Sequence, residues 1–389
     1  MARSLGRLGL LVPATLACAF ATDVALRLLP QDWVTFRAWE AVLAPESDAP
    51  FLPNQHYHNA RTYGNLAAIA NLPASREYHP VTFTTDALGY ANPPELARRG
   101  DARAIVFGSS FAAGSEEGDG LTLAAQLATA SGRPVYNAAS GARGAAEILS
   151  LARRVVIPGG LVIFEYPEGR ELPPITPLPL PHPTSRCRAV LAPRGLDHAC
   201  TALAWLQRRV RISPLAIVCQ RAVKWLEDGR WFPNPYAQNV LRERLANGQE
   251  MLFLPSERDE FHTGAPREPA VQVFRWLRAK LWAEHFTLLV VLVPTKYAVY
   301  APLLRTPDAG PDQSTRYLAD VARRLGAAGI PTVNLLPSYR AAARRALAED
   351  RYIYLRDDTH WNAAGVGVAA RELWRAWQAL QGAGAPSTP

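Results

Sequence analysis

Ala104-Ile105-Val106-Phe107-Gly108-Ser109-Ser110-Phe111 sets the fold of this chain. Four apolar residues running into glycine and two serines are what a strand buried on both faces looks like where it turns into a helix. The same pattern repeats downstream. The spacing predicts a helix over 121–129, a strand over 134–138, a helix over 145–154 and a strand over 161–166. It resumes with a strand over 286–293, a helix over 313–325, a strand over 330–335 and helices over 338–347 and 366–380. Alternation of this kind implies βαβ units and a parallel sheet covered on both sides, hence the α/β class.

Between the two halves, a proline-dense stretch from Pro173 gives way to arginine- and tryptophan-rich segments such as 201–225, which read as a helical insertion. Ahead of the first half, residues 30–95 are rich in Pro, Asn, Thr and Tyr, with weak alternation in 78–84, and read as an irregular, partly β lead-in without a catalytic signature. The expected division is 1–29 as a signal anchor or signal peptide, 30–95 as lead-in, 96–172 as the first half of the core, 173–275 as insertion and 276–389 as the second half.

Far from Ser110 stands Asp357-Asp358-Thr359-His360-Trp361-Asn362. A serine hydroxyl is a weak nucleophile until a base takes its proton, and an imidazole serves as that base only when its other nitrogen is held. Ser110, His360 and one of Asp357 or Asp358 are therefore the parts of an acyl-transfer centre. Ligands of open parallel sheets bind beyond the carboxyl ends of the strands. Ser110 follows the first predicted core strand, Gly141 the second, Arg170 the third and Lys296 the fourth, while Asp358 and His360 follow the last strand and helix. The other reading of the same residues is a turn serine at 110, and an Asp358 that caps a helix beside a satisfied His360.

The 389 residues are 49% apolar and 20% charged, enough to bury a large core. The formal charge of +8 comes almost wholly from arginine, lysine standing only at Lys224, Lys280 and Lys296. No basic run is interleaved with aromatics, which excludes a nucleic-acid footprint. A basic surface suits acidic glycans or anionic headgroups. No Cys/His spacing reads as a metal site, and the sequence implies no cofactor.

The amino terminus places Arg3 and Arg7 before an apolar run over 8–21, followed by Asp23 and Arg27. That run suits export, as a signal peptide cleaved after Ala19-Phe20-Ala21 or as an uncleaved anchor reaching Leu29. Export would permit a Cys187–Cys200 disulfide, whereas Cys219 reads as a buried thiol. Trp205, Trp225 and Trp231 suit either a sugar-stacking lid or packing.

At Gly108-Ser109-Ser110-Phe111 and Asp358-Thr359-His360-Trp361-Asn362 the sequence resembles the SGNH (GDSL-like) hydrolase superfamily, and within it the exported proteins similar to alginate O-acetyltransferases. The likeness extends over about 80–380 without the insertion, and takes in Thr84-Thr85-Asp86-Ala87-Leu88-Gly89-Tyr90 and Val293-Pro294-Thr295-Lys296-Tyr297. It implies a three-layer α/β/α flavodoxin-like fold and a Ser-His-Asp triad. Ser110 would be the nucleophile, His360 the general base and Asp358 its orienter, with Asp357 the choice if the acid stands three residues before the histidine. Gly141, after Ser140, would offer a backbone N–H to the oxyanion alongside that of Ser110.

Two departures stand out. Ser109 replaces the acid usual before the nucleophile, which should weaken hydrogen bonding in that loop. Arg170 occupies the stretch where the hydrolases carry an oxyanion asparagine; it would stabilise the oxyanion or clamp a carboxylate, or else pair with Glu168 or Glu171. Lys296 would meet a glycan or phosphate at the rim, or be a solvated turn lysine. The resemblance implies a periplasmic O-acetyltransferase acting on an exported polysaccharide, fed by a multi-pass membrane O-acyltransferase and held at the inner membrane. An esterase, and an inactive glycan-binding or assembly scaffold, remain the alternatives.

Overall fold

The computed structural model describes residues 2–29, 50–114, 116–139, 145–169, 213–264 and 270–382. Nine strands, numbered in chain order, form three sheets among these residues: β1 (His56–Thr62), β2 (His79–Thr84), β3 (Ala102–Phe107), β4 (Val135–Asn137), β5 (Val156–Pro167), β6 (Leu241–Arg244), β7 (Glu250–Phe253), β8 (Thr287–Val293) and β9 (Thr332–Asn334). The central sheet has the order β4-β3-β5-β8-β9, and every pair in it is parallel. Numbered by their own succession, these strands run 2-1-3-4-5, the flavodoxin-like arrangement.

Leu288 to Val293 are all buried, and successive residues on a strand face opposite sides, so both faces of the sheet are covered. One group of helices, Leu123–Ser131, Leu336–Leu347 and Ala363–Gly382, and another, Ala145–Val155, Ala270–Trp282 and Gln313–Ala327, supply the cover. Each expected core element of the two halves is present, with ends displaced by a few residues.

The lead-in contributes the antiparallel pair β1–β2 and the short helix Asn65–Ile69. Its Asp86 is buried and accepts from Leu88 N, Tyr90 N, Asn92 Nδ2 and Tyr136 Oη, which binds the turn after β2 to β4. The stretch expected to be a helical insertion carries the helix Pro214–Leu226 but also the antiparallel pair β6–β7. Asn247-Gly248, with Gly248 at φ 84°, turns that hairpin. Cys187, Cys200 and Trp205 lie outside the described residues. Cys219 is exposed, not buried as expected, and Trp225 and Trp231 are exposed as well.

The amino terminus forms the helix Ala2–Leu26, yet no helix among the described residues is long and apolar enough to cross a membrane. The expected anchor is not supported by a membrane-spanning helix among these residues. Asp23 is committed to the fold: it accepts from Ser213 Oγ and Leu215 N at the start of Pro214–Leu226 and pairs with Arg27.

Candidate active site

β3 ends at Phe107, and Gly108 follows at φ 157°. A Cβ on Gly108 would stand 2.4 Å from Glu165 Oε2, so only glycine lets the chain turn there. Ser109 then caps the helix Ser110–Ala113, its Oγ accepting from Phe111 N at 3.2 Å. Ser110 is left exposed at the first helical position.

Ser110 Oγ lies 2.8 Å from His360 Nε2, and His360 Nδ1 lies 2.6 Å from Asp358 Oδ1. This network assigns the tautomer: Nδ1–H donates to Asp358 and Nε2 accepts from Ser110. Asp358 Oδ1 also accepts from His360 N, and its Oδ2 accepts from Asn65 N at 2.5 Å. The base and the acid are buried while the serine is exposed, so an acyl group reaches the nucleophile but water does not compete for the Asp358–His360 bond. The phenyl ring of Phe111 packs against His360 with ring centroids 4.7 Å apart and planes tilted by 52°, and Trp361 Nε1 donates to Phe111 O, stapling the nucleophile segment to the histidine segment.

Asp357 points elsewhere. Its Oδ2 accepts from Gly64 N and Glu77 N, both at 2.8 Å, and burial raises its pKa. Of the two acids left open by the sequence, Asp358 is the one placed against the imidazole. Neither acid caps the last helix; Asn362 does, its Oδ1 accepting from Ala364 N and Gly365 N.

The lead-in, read from sequence as bare of catalytic function, cradles this acid pair. Leu66 N and Ala67 N donate to Asp357 O, and Asn65 exchanges two hydrogen bonds with Thr359, Oδ1 accepting from Thr359 N and Nδ2 donating to Thr359 Oγ1. Gly64 permits the approach: a Cβ there would lie 2.1 Å from Asp357 O.

The acid missing at position 109 comes from the neighbouring strand. Glu165 on β5 is buried, and its Oε2 accepts from Ser109 N at 2.6 Å and Ser109 Oγ at 2.9 Å. The nucleophile loop is therefore held by a carboxylate, contrary to the weakening expected from Ser109. Two more acids approach from the segment after Ser110–Ala113. Glu116 is buried, with a carboxylate oxygen within 4.8 Å of ligand atoms on both Asp358 and His360. Among the described residues this is the one group that could share a cation, but both His360 nitrogens are already engaged with Ser110 and Asp358. Burial pushes Glu117 up to about 7, against the lowering pull of His79 and of the Ala363 main chain.

Lys296 corrects the sequence reading most sharply. It is neither a rim ligand nor a solvated turn residue but wholly buried, its Nζ donating to Leu252 O, Leu355 O, Arg356 O and Asp358 O at 2.7 to 3.0 Å. Gly141 and Arg170, expected at the oxyanion, lie outside the described residues.

A recess of about 200 Å³ opens at the carboxyl ends of β5 and β8, lined in part by Glu168 and Thr295 and by Phe111 and Thr359, the chain neighbours of Ser110 and His360. Glu168 is buried there, accepts from Thr295 N, and has its pKa raised by desolvation. A larger hollow of about 700 Å³, lined in part by Thr85, Asn92, Leu96, Asp119 and Thr122, lies beside β4 and includes none of Ser110, Asp358 and His360.

A five-stranded parallel sheet in 2-1-3-4-5 order, with a Ser-His-Asp hydrogen-bond chain at the carboxyl ends of its strands, places the molecule in a class: mixed α/β, with an SGNH hydrolase-like domain. More particularly, residues 249–388 match the family model of the SGNH hydrolase-like domain of the acetyltransferase AlgX. The match contains Lys296, Asp358 and His360; Ser110 lies outside it and reaches them through the fold. No curated protein matches the chain. One solved structure aligns with 72% of this chain and 98% of its own at 13% identity, with a TM-score of 0.33, a superposition too loose to bear on the argument.

Proposed function

We propose that the chain is a serine-dependent O-acyltransferase that moves an acetyl group onto hydroxyls of an exported polysaccharide. The observation that carries this reading is the continuous chain Ser110 Oγ, His360 Nε2, His360 Nδ1, Asp358 Oδ1 in a protein whose residues 249–388 match the SGNH hydrolase-like domain of an acetyltransferase. Ser110 Oγ attacks the acyl carbonyl as its proton passes to His360 Nε2, and the imidazolium so formed is stabilised by Asp358. The tetrahedral oxyanion is met by the N–H of Ser110, with Gly141 and Arg170 as further donors. Collapse expels the donor's leaving group, which takes the proton from His360, and leaves acyl-Ser110.

In the second half, a sugar hydroxyl attacks acyl-Ser110 while giving its proton to His360. Breakdown returns that proton to Ser110 Oγ and releases the O-acylated sugar, so atoms and protons balance. The acetyl donor would be delivered by a multi-pass membrane O-acyltransferase, and the site of action would be the periplasm. A glycan-binding scaffold without activity has no use for a tautomer-fixed histidine on an exposed serine. Replacement Ser110→Ala is expected to lower turnover of p-nitrophenyl acetate by about 10³-fold or more. A loss under about tenfold would sink the proposal.

A further inference from the structure

We infer that Lys296 is the positioning residue of the Asp358–His360 pair: its ammonium gathers the main chain on both sides of the acids into the one geometry in which Asp358 meets the imidazole. This rests on the triad reading above and assigns to it a residue that does not touch substrate.

Lys296 begins the helix Lys296–Tyr300 at the end of β8, where Thr295 Oγ caps the first turn by accepting from Ala298 N. Its side chain runs into the protein, against the Phe253 ring at 5.2 Å, and ends among four carbonyl oxygens. Three of these, Leu355 O, Arg356 O and Asp358 O, belong to the segment that presents the acid and the base. The fourth, Leu252 O, belongs to β7, whose Leu252 N also donates to Arg356 O, so one cation ties the second half of the core, the hairpin and the catalytic segment together.

Main-chain carbonyls converging on one point repel one another unless a cation sits between them. An ammonium supplies three N–H donors and a charge; a neutral amine supplies two donors and turns a lone pair toward an oxygen. The charged groups facing Lys296 are Glu257, Asp358, Asp357 and Glu77, and all favour the ammonium. Desolvation outweighs them and pushes the amine down to about 8. Above that pH the cage loses the cation that collects it. The catalytic segment then relaxes, and an error of about 1 Å between base and nucleophile is enough to cost on the order of 10²-fold in rate.

The test uses the full chain and exploits the presence of three lysines in the whole sequence. Lysine labelled with ¹³C at Cε gives three resonances, and Lys224→Arg and Lys280→Arg identify the Lys296 signal by elimination. In parallel, kcat for p-nitrophenyl acetate is measured from pH 6 to 10, with Ser110→Ala subtracted at each pH. The expected result is a one-proton alkaline loss of kcat whose midpoint coincides with the Lys296 titration, with KM held within about twofold. A flat kcat through pH 9.5, or a midpoint more than one unit from that titration, overturns the inference.

Lys296→Met is the second arm. It should lower kcat at least about tenfold and abolish the low-field proton resonance of the His360–Asp358 hydrogen bond while unfolding stays cooperative. If the variant does not fold, the wild-type titration decides; if it folds and keeps both kcat and that resonance, the inference fails. Absence of any Ser110-dependent turnover would instead count against the proposed function. In that case the low-field resonance, followed against the Lys296 titration in the wild type, still reads the positioning claim: it should fade as Lys296 loses its proton, and its persistence overturns the claim.

Discussion

Asp357→Asn and Asp358→Asn differ by one position and should differ by orders of magnitude in activity. Asp358 uses Oδ1 to hold His360 Nδ1–H and Oδ2 to accept from Asn65 N. An asparagine there must turn its NH₂ toward one of these donors. Facing the imidazole, it forces the proton onto Nε2, and Ser110 loses its base; facing Asn65, it sets two donors against each other and moves the whole side chain. Loss of the correct tautomer costs about 10⁴-fold in kcat, on the order of 5 kcal/mol of transition-state stabilisation.

Asp357 takes two main-chain N–H groups on Oδ2, from Gly64 and Glu77, and both remain satisfied by the single oxygen of an asparagine. Because burial already opposes its charge, neutralisation is mild: about 1 kcal/mol of stability and less than about threefold in kcat. The assay is kcat and KM for p-nitrophenyl acetate at pH 7.5, with urea unfolding of each variant to separate chemistry from folding. Asp358→Asn retaining activity within about tenfold of wild type, or Asp357→Asn costing more kcat than Asp358→Asn, would refute the assignment.

Gly64→Ala should be among the costliest substitutions in the lead-in, since its Cβ would lie 2.1 Å from a main-chain oxygen of the catalytic segment; about 3 kcal/mol in urea unfolding and at least about tenfold in kcat are expected. Glu165→Ala strips Ser109 N and Oγ of their acceptor, which should cost about 2–3 kcal/mol and slow fluorophosphonate labelling of Ser110. Glu117, raised from 4.5 to about 7 in the folded chain, binds its proton more tightly folded than unfolded. Its contribution therefore makes stability fall as pH rises from about 4.5 to 7, by up to about 3 kcal/mol before solvent discounts it, and Glu117→Gln should flatten that part of the stability profile.

What was legible in the sequence was local. The run into Gly108-Ser109-Ser110 marks a strand entering a helix, and Asp358-Thr359-His360 sets acid and base two residues apart, so the parts of the triad show without a fold. The alternation of strands and helices is likewise written in near neighbours. Glu165, Asn65 and Gly64 were not legible, because each meets its partner only through pairing and packing of distant segments. Glu165 sits among Phe164 and Tyr166 as a polar interruption in a buried strand, a signal that its carboxylate had a partner, though not which one. Lys296 misled because a lysine after a strand reads as a surface group; its burial follows from carbonyls contributed by β7 and by the segment before His360. Asn247-Gly248 was a readable hairpin turn, lost under the helical reading of the insertion.

The central claim is that Ser110 carries an acyl group to a sugar. Intact-mass and peptide analysis of wild type and Ser110→Ala, after incubation with p-nitrophenyl acetate with and without short acidic and neutral oligosaccharides, tests it directly. The account predicts an acetyl adduct on the Ser110 peptide, absent from Ser110→Ala, that disappears as O-acetylated oligosaccharide forms. An adduct released only to water, whatever sugar is supplied, would contradict the transfer, and no adduct at all would contradict the triad.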